Sequence, residues 1–232
     1  MSAEANPRAS GRAGRLRPGI AILDYGMGNL RSVYKALEHV GAEPELTADH
    51  ARVREADAIV LPGVGAMPKA MERVRGLALD ELLRERVAGG VPVIGLCMGM
   101  QLLFESTSEL GGAEGIGLLR GPVEQLDAPK IPQIGWNEVA WRRSSVLNEG
   151  LPDPCAFYHA NSFAPRPADP GDVLGTADYG GEFVSVVERP PVYGLQSHPE
   201  KSGPDGLRLL KNFVGLAQAA GPARGAAMDF RL

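Results

Sequence analysis

Cysteine is scarce in this chain: there are two among 232 residues, at positions 97 and 155. Two thiols are too few for a disulfide scaffold, so the fold must rest on its core, and both are expected to stay free and reduced. An excess of positive charge is also missing. The formal net charge is -4, which argues for solubility and against a nucleic-acid surface. Long apolar runs are absent: none approaches the roughly 20 residues of a membrane helix. The N-terminus lacks the stretch of about 7–15 apolar residues that a secretory signal needs. These absences leave a cytoplasmic protein as the expectation.

What is present is ordinary for a globular chain. Apolar residues make up 44% and charged residues 22%, enough for one large domain with a real core. Residues 1–18 stand apart. They are rich in Ala, Arg, Gly and Ser, carry Arg8, Arg12, Arg15 and Arg17, and read as a disordered basic extension. The domain is expected over 19–220, followed by a loose tail over 221–232.

Within that domain, short apolar runs alternate with amphipathic stretches. Ile20-Ala21-Ile22-Leu23 is a strand closed by the Gly-rich turn Asp24-Tyr25-Gly26-Met27-Gly28-Asn29. Leu30, Val33, Tyr34, Leu37 and Val40 follow at helical spacing, with Asn29 as N-cap and Gly41 as C-cap. Ala58–Leu61, closed by Pro62, is a second buried strand, and Leu79–Val87 reads as a helix. Val91–Leu96 is a third strand, and Met98–Glu105 starts a helix at once. This alternation predicts βαβ units and a mostly parallel central sheet flanked by helices. After Gly111, Gly and Pro become dense. Strand-like pieces at Leu118–Leu126, Gly135–Trp141, Ala156–Tyr158, Phe183–Glu188 and Val192–Gln196 suggest antiparallel additions to the same sheet. A last helix is expected over Pro204–Ala219. The class is α/β, in a single domain.

The chemistry concentrates at three strand ends. Gly95-Leu96-Cys97-Met98-Gly99 has the form of a nucleophile elbow, with Cys in the place of Ser. An isolated Cys reads as a structural core thiol, and Cys155 does so here. At Cys97 the flanking glycines permit close backbone crossing, the helix start favours thiolate, and the Met98 N–H can donate to an oxyanion. The base is expected at His198, just past a buried strand, with Glu200 two residues on to orient the imidazole across Pro199. The other histidines fit less well. His39 and His50 read as surface groups, and His159 as buried or near a site. Pro62-Gly63-Val64-Gly65 could be an ordinary turn. Beside the other two motifs it reads as a glycine-bearing strand that offers N–H groups to an oxyanion or rotates a peptide between two states.

Together these three motifs resemble the class I glutamine amidotransferases of the Cys-His-Glu kind, whose fold is flavodoxin-like. Asp24–Leu30 and Gly135-Trp136-Asn137-Glu138-Val139 are similar to the branch that serves as glutaminase subunit of imidazole glycerol phosphate synthase. The likeness runs from about Ile20 to Phe213. It implies that Cys97 attacks the side-chain amide of glutamine, with His198 and Glu200 completing the triad. It implies an oxyanion hole at Gly63, Val64, Gly65 and Met98, and substrate contacts at Gln101, Ser162 and Phe163. No metal or other cofactor is implied. The implied partner is a (βα)₈-barrel cyclase subunit, which receives the ammonia and converts N'-phosphoribulosyl formimino aminoimidazole carboxamide ribonucleotide to imidazole glycerol phosphate and AICAR in histidine biosynthesis. Lys201, Trp136 and Asn137 are the implied interface residues. Asn161 departs from the pattern, since many members carry His there. Two rivals are a glutaminase serving pyridoxal phosphate synthase, whose oxyanion strand differs, and a non-catalytic module that cradles an anion at Gly26–Asn29.

Overall fold

The computed structural model describes residues 17–220. The extension expected over 1–18 falls almost wholly outside the described residues, and the tail over 221–232 wholly so. The strands are β1 (Gly19–Leu23), β2 (Glu43–Thr47), β3 (Ala58–Gly63), β4 (Val93–Cys97), β5 (Ser106–Thr107), β6 (Ala113–Glu114), β7 (Pro122–Gln125), β8 (Gln133–Trp141), β9 (Cys155–Asn161), β10 (Phe163–Pro165), β11 (Val173–Asp178), β12 (Glu182–Arg189) and β13 (Val192–Leu195). The helices are α1 (Leu30–His39), α2 (His50–Glu55), α3 (Met67–Gly76), α4 (Leu79–Ala88), α5 (Met98–Leu102) and α6 (Gly203–Ala220).

A nine-stranded sheet runs in the order β2-β1-β3-β4-β13-β12-β11-β8-β9. From β2 to β13 neighbours are parallel, and from β13 to β9 they are antiparallel. The parallel part explains why its strands read as unbroken apolar runs: β1, β3 and β4 are buried on both faces. Alternate side chains serve two separate cores. Ile20, Ile22, Val60 and Ile94 pack on one face with Leu37 of α1 and Phe213 of α6. Ala21, Leu23, Ile59, Leu61 and Val93 pack on the other with Met71 of α3 and Leu83 of α4. Helix α6 buries Leu209, Leu210, Phe213, Val214 and Ala217 along one stripe.

Three elements differ from the sequence expectation. The Leu118–Leu126 strand does not join the main sheet. Its β7 portion lies in a second, four-stranded sheet of order β10-β7-β5-β6. The helix expected over Met98–Glu105 ends at Leu102, because Leu103 and Phe104 tighten into three-residue turns and Glu105 N–H then bonds Gly121 O. The chain is thereby drawn into β5, which pairs with β7. At α1, Asn29 holds the N-cap position but makes no side-chain cap bond; its amide reaches Glu200 instead. Gly41 ends that helix as expected, at φ 98°. Among the described residues no helix is long and apolar enough to cross a membrane.

Candidate active site

The carboxyl ends of β1, β3, β4 and β13 meet on one edge of the parallel sheet, where open α/β sheets place their ligand crevices. Cys97 ends β4 and opens α5 with φ 54° and ψ -113°, a left-handed conformation costly for any residue but glycine. Its two flanking glycines are required by close approach. A Cβ on Gly95 would lie 2.5 Å from Gly99 O, and one on Gly99 would lie 1.7 Å from Leu61 O. The elbow is thus wedged between β3 and its own helix, which holds the sulfur at the head of the sheet.

His198 stands one short step beyond β13. Its Nδ1 lies 2.9 Å from Glu200 Oε1, and Nε2 is left for the sulfur of Cys97. The sequence reading relied on extended chain to bring Glu200 to the side of His198. The structure uses a different device: Pro199–Lys201 is a single 3-10 turn, and Pro at its first position sets the bend. The ring is fixed further through its backbone, with His198 N–H donating to Tyr158 O and His198 O accepting from Ser202 Oγ. Burial alone would lower the His198 pKa. Hydrogen bonds with Cys97 and Glu200, and the charges of both, outweigh it and raise the pKa to about 10. His198 is therefore held toward its imidazolium form between Cys97 and Glu200.

Cys97 and His198 line a cavity of about 300 Å³, within the range of small-ligand pockets. Val64, Gly65, Met98, Gln101, Glu109, Asn161, Ser162 and Phe163 are among its lining residues. Met98 carries the first backbone N–H after Cys97. Gly63 pairs in register with Cys97. Its lack of a side chain answers crowding, since a Cβ there would lie 2.6 Å from Tyr25 Oη and 2.8 Å from Met98 Cβ. The left-handed glycine of this segment is Gly65, at φ 95°.

Gln101 is already engaged on its donor side. Its Nε2 donates to Phe163 O and to Gln196 Oε1, each at 3.0 Å, so only its Oε1 remains for a ligand. Asn161 also donates to Phe163 O, and its Oδ1 is buried with no partner among the described residues. Residues that the sequence reading passed over complete the site. Glu109 is the one carboxylate lining the cavity, and it also accepts from Met67 N–H. Gln196 is fully buried and points Nε2 at Cys97 Sγ, 3.9 Å away. Glu109 sits in a polar loop with no periodicity to mark it. Gln196 lies inside the run that flags His198 and gave no separate signal.

The remaining polar candidates separate cleanly. His159 is fully buried, with both ring nitrogens engaged by Phe157 O and Ser185 Oγ. Burial pushes its pKa down to about 4. Cys155 is a core thiol pushed up to about 12, first by burial and then by Asp205. His39 is exposed, and His50 is half-buried with Nε2 at Leu77 O. Among the described residues no cluster of His, Cys, Asp and Glu is arranged to hold a metal ion.

At the cavity mouth Lys201 sets its ammonium 5.8 Å from the Tyr158 ring, and Trp136 packs edge-on against the same ring. Trp136 and Ile134 are 60% and 66% exposed on one face of β8, two large apolar side chains open to solvent side by side. Asn137 points to the other face, as alternation along a strand requires, and donates to Asp178 O. The structure thus groups Trp136 with Lys201 and leaves Asn137 out.

A family model described as glutamine amidotransferase class-I matches residues 21–216. The chain is 46% identical over 203 residues to the imidazole glycerol phosphate synthase subunit HisH of Bacillus cereus (strain G9842), covering 86% of this chain and 96% of that one. It is 44% identical over 209 residues to the HisH subunit of Moorella thermoacetica, covering 90% and 99%. Among solved structures, PurLQS from Thermotoga maritima superposes with a TM-score of 0.71 at 21% identity, over 87% of this chain and 99% of that one. A crystal structure titled glutamine amidotransferase gives 0.69 at 21%, over 86% and 98%.

Proposed function

The chain belongs to the class I glutamine amidotransferases, in the HisH branch, and from that premise we propose how its residues divide the reaction. The observation that carries the reading is the junction of Cys97, His198 and Glu200 above a cavity of small-ligand size. The Cys97 thiolate adds to the side-chain carbonyl of glutamine. The oxyanion is met by N–H groups of Met98 and of the Gly63–Gly65 segment. The tetrahedral adduct collapses, the C–N bond breaks, and the His198 imidazolium gives its proton to the departing ammonia. Since His198 holds a proton at neutral pH, it serves first as acid. It acts as base only in the second half, when it takes a proton from the water that hydrolyses the γ-glutamyl thioester. Glu200 keeps the ring aimed and its charge balanced throughout.

Substrate recognition follows from charge. Glutamine carries an ammonium and a carboxylate at its far end. Glu109, the carboxylate in the cavity lining, suits the ammonium. The Ser162–Phe163 segment supports the carboxylate end, and Gln101 Oε1 is left for an N–H of the substrate. Ammonia is the useful product. The partner is a (βα)₈-barrel cyclase subunit that uses it to make imidazole glycerol phosphate and AICAR in histidine biosynthesis. The exposed Ile134 and Trp136, with Lys201 at the rim of the cavity, suit a docking face over the exit. Free thiols at Cys97 and Cys155 suit a reducing cytoplasm.

The test is a glutaminase assay of the full chain alone, with the barrel subunit, and with the barrel subunit holding its ribonucleotide ligand. Glutamate formation should rise at each step. Full activity without the partner would contradict the synthase assignment, and no activity in any state would contradict the triad.

A further inference from the structure

The turn Asp24–Asn29 is the one sequence motif that the reaction as described leaves without a task. Its glycines suggested an anion cradle, but in the structure the turn faces the catalytic centre with side chains at both ends. At its start, Tyr25 is 2% exposed and donates from Oη to Pro62 O at 2.6 Å. At its end, Asn29 Nδ2 donates to Glu200 Oε1 at 3.3 Å, the same oxygen that holds His198. The middle of the turn also packs on the oxyanion segment. Met27 Cε lies 3.1 Å from where a Cβ on Gly65 would be, and Pro62 carbons lie 3.5 Å from one on Gly28.

We propose that this turn is a positioning clamp: Tyr25 fixes the peptide before the oxyanion segment, and Asn29 fixes the triad carboxylate. The proposal rests on the triad and oxyanion segment described above. Its physical content is a division of freedom. With Pro62 O held, rotation in the Pro62–Gly65 segment is confined to the peptides after Gly63, so the oxyanion donors move on a defined hinge. Crowding supports this, because Tyr25 Oη occupies the space a side chain at Gly63 would need. Asn29 acts on the other half. A donor on Glu200 Oε1 sets the plane of that carboxylate and holds it against His198. Neither residue needs to touch glutamine.

The two arms predict different losses, which a merely structural role would not separate. In the complex with barrel subunit and ligand, Tyr25→Phe should lower kcat for glutamine about five- to tenfold, the scale of one lost neutral hydrogen bond, with KM within twofold. The pH dependence of Cys97 alkylation by iodoacetamide should stay unchanged in that variant, because thiolate formation does not use the oxyanion segment. Asn29→Ala should do the reverse. Its alkylation profile should move to higher pH by about half a unit, as weaker Glu200–His198 pairing destabilises the thiolate–imidazolium pair. A kcat within twofold of wild type for Tyr25→Phe, or an unshifted alkylation profile for Asn29→Ala, would overturn the clamp. Equal losses of both readouts in both variants would also overturn it, in favour of general loosening. Alkylation needs neither glutamine nor partner, so the Asn29 arm stays readable even if wild type proved not to be a partner-dependent glutaminase.

Discussion

Two regions of the molecule each bury one cysteine and one histidine, and they differ in almost everything else. At the head of the parallel sheet, Cys97 is held in a left-handed conformation against His198, whose pKa is raised to about 10. On the antiparallel strand β9, Cys155 is pushed up to about 12 and His159 down to about 4. Burial acts on both histidines in the same sense, disfavouring charge. At His198 it is outweighed by the interactions with Cys97 and Glu200; at His159 the partners are a backbone carbonyl and a serine hydroxyl, which cannot stabilise an imidazolium as a carboxylate does. The proposed catalytic pair differs from the core pair in the charge that surrounds its histidine, and in lining a cavity.

The sharpest way to break this comparison is to exchange each sulfur for oxygen. Cys97→Ser should lower glutaminase turnover in the complex on the order of 10³-fold or more, since a serine hydroxyl is far less acidic than a thiol and does not yield its proton to His198 as readily. Cys155→Ser should leave turnover within twofold and cost about 1 kcal/mol of stability, read by denaturant unfolding. A smaller effect is expected from Glu200→Gln. Removing the charge that holds the imidazolium should lower kcat roughly 10²-fold, the low end for general acid–base groups, with the His198 proton lost at lower pH in the rate profile.

The subtlest test uses stability against pH. His198 has a folded pKa above its unfolded value of about 6.5, so its contribution is complete below pH 6.5 and fades as pH rises toward 10. His159 has a folded pKa below that value, so its contribution is complete above pH 6.5 and fades as pH falls toward 4. His159→Phe should therefore flatten the acid side of the stability curve, and His198→Asn the alkaline side. Denaturant titrations across this range would show the opposite slopes. The same slope for both histidines would show that the two environments are not the opposites described here.

Much of the active region was legible because its requirements are local. A buried parallel strand needs an unbroken apolar run, and a nucleophile elbow needs glycines on both sides; Val93–Leu96 and Gly95–Gly99 display both. The meeting of His198 and Glu200 was legible for a partly mistaken reason: it comes through a 3-10 turn at Pro199 instead of extended chain. Elements whose pattern is set by an edge or by distant pairing were harder to see. Strand β2, Glu-Pro-Glu-Leu-Thr, lies at a sheet edge, so its polar residues and proline are tolerated there and mask it. Helix α3 buries Met67, Ala70, Met71 and Val74, a periodicity the chain does carry but amid basic residues. The second sheet could not be foreseen, because β5 and β7 are joined only by tertiary pairing. Asn29 shows the same limit within the site. Its local position predicts a helix cap, while its partner Glu200 lies far along the chain.

The central claim is that Cys97, and no other group, carries the glutamyl intermediate. The most direct measurement is an acid quench of the full complex during turnover with glutamine, followed by peptide mass mapping. One glutamyl adduct on the peptide containing Cys97, and none on that containing Cys155, is the predicted result. It should decay on standing in water and be absent from Cys97→Ser. Steady turnover with the adduct on another residue, or turnover that persists in Cys97→Ser, would contradict the account.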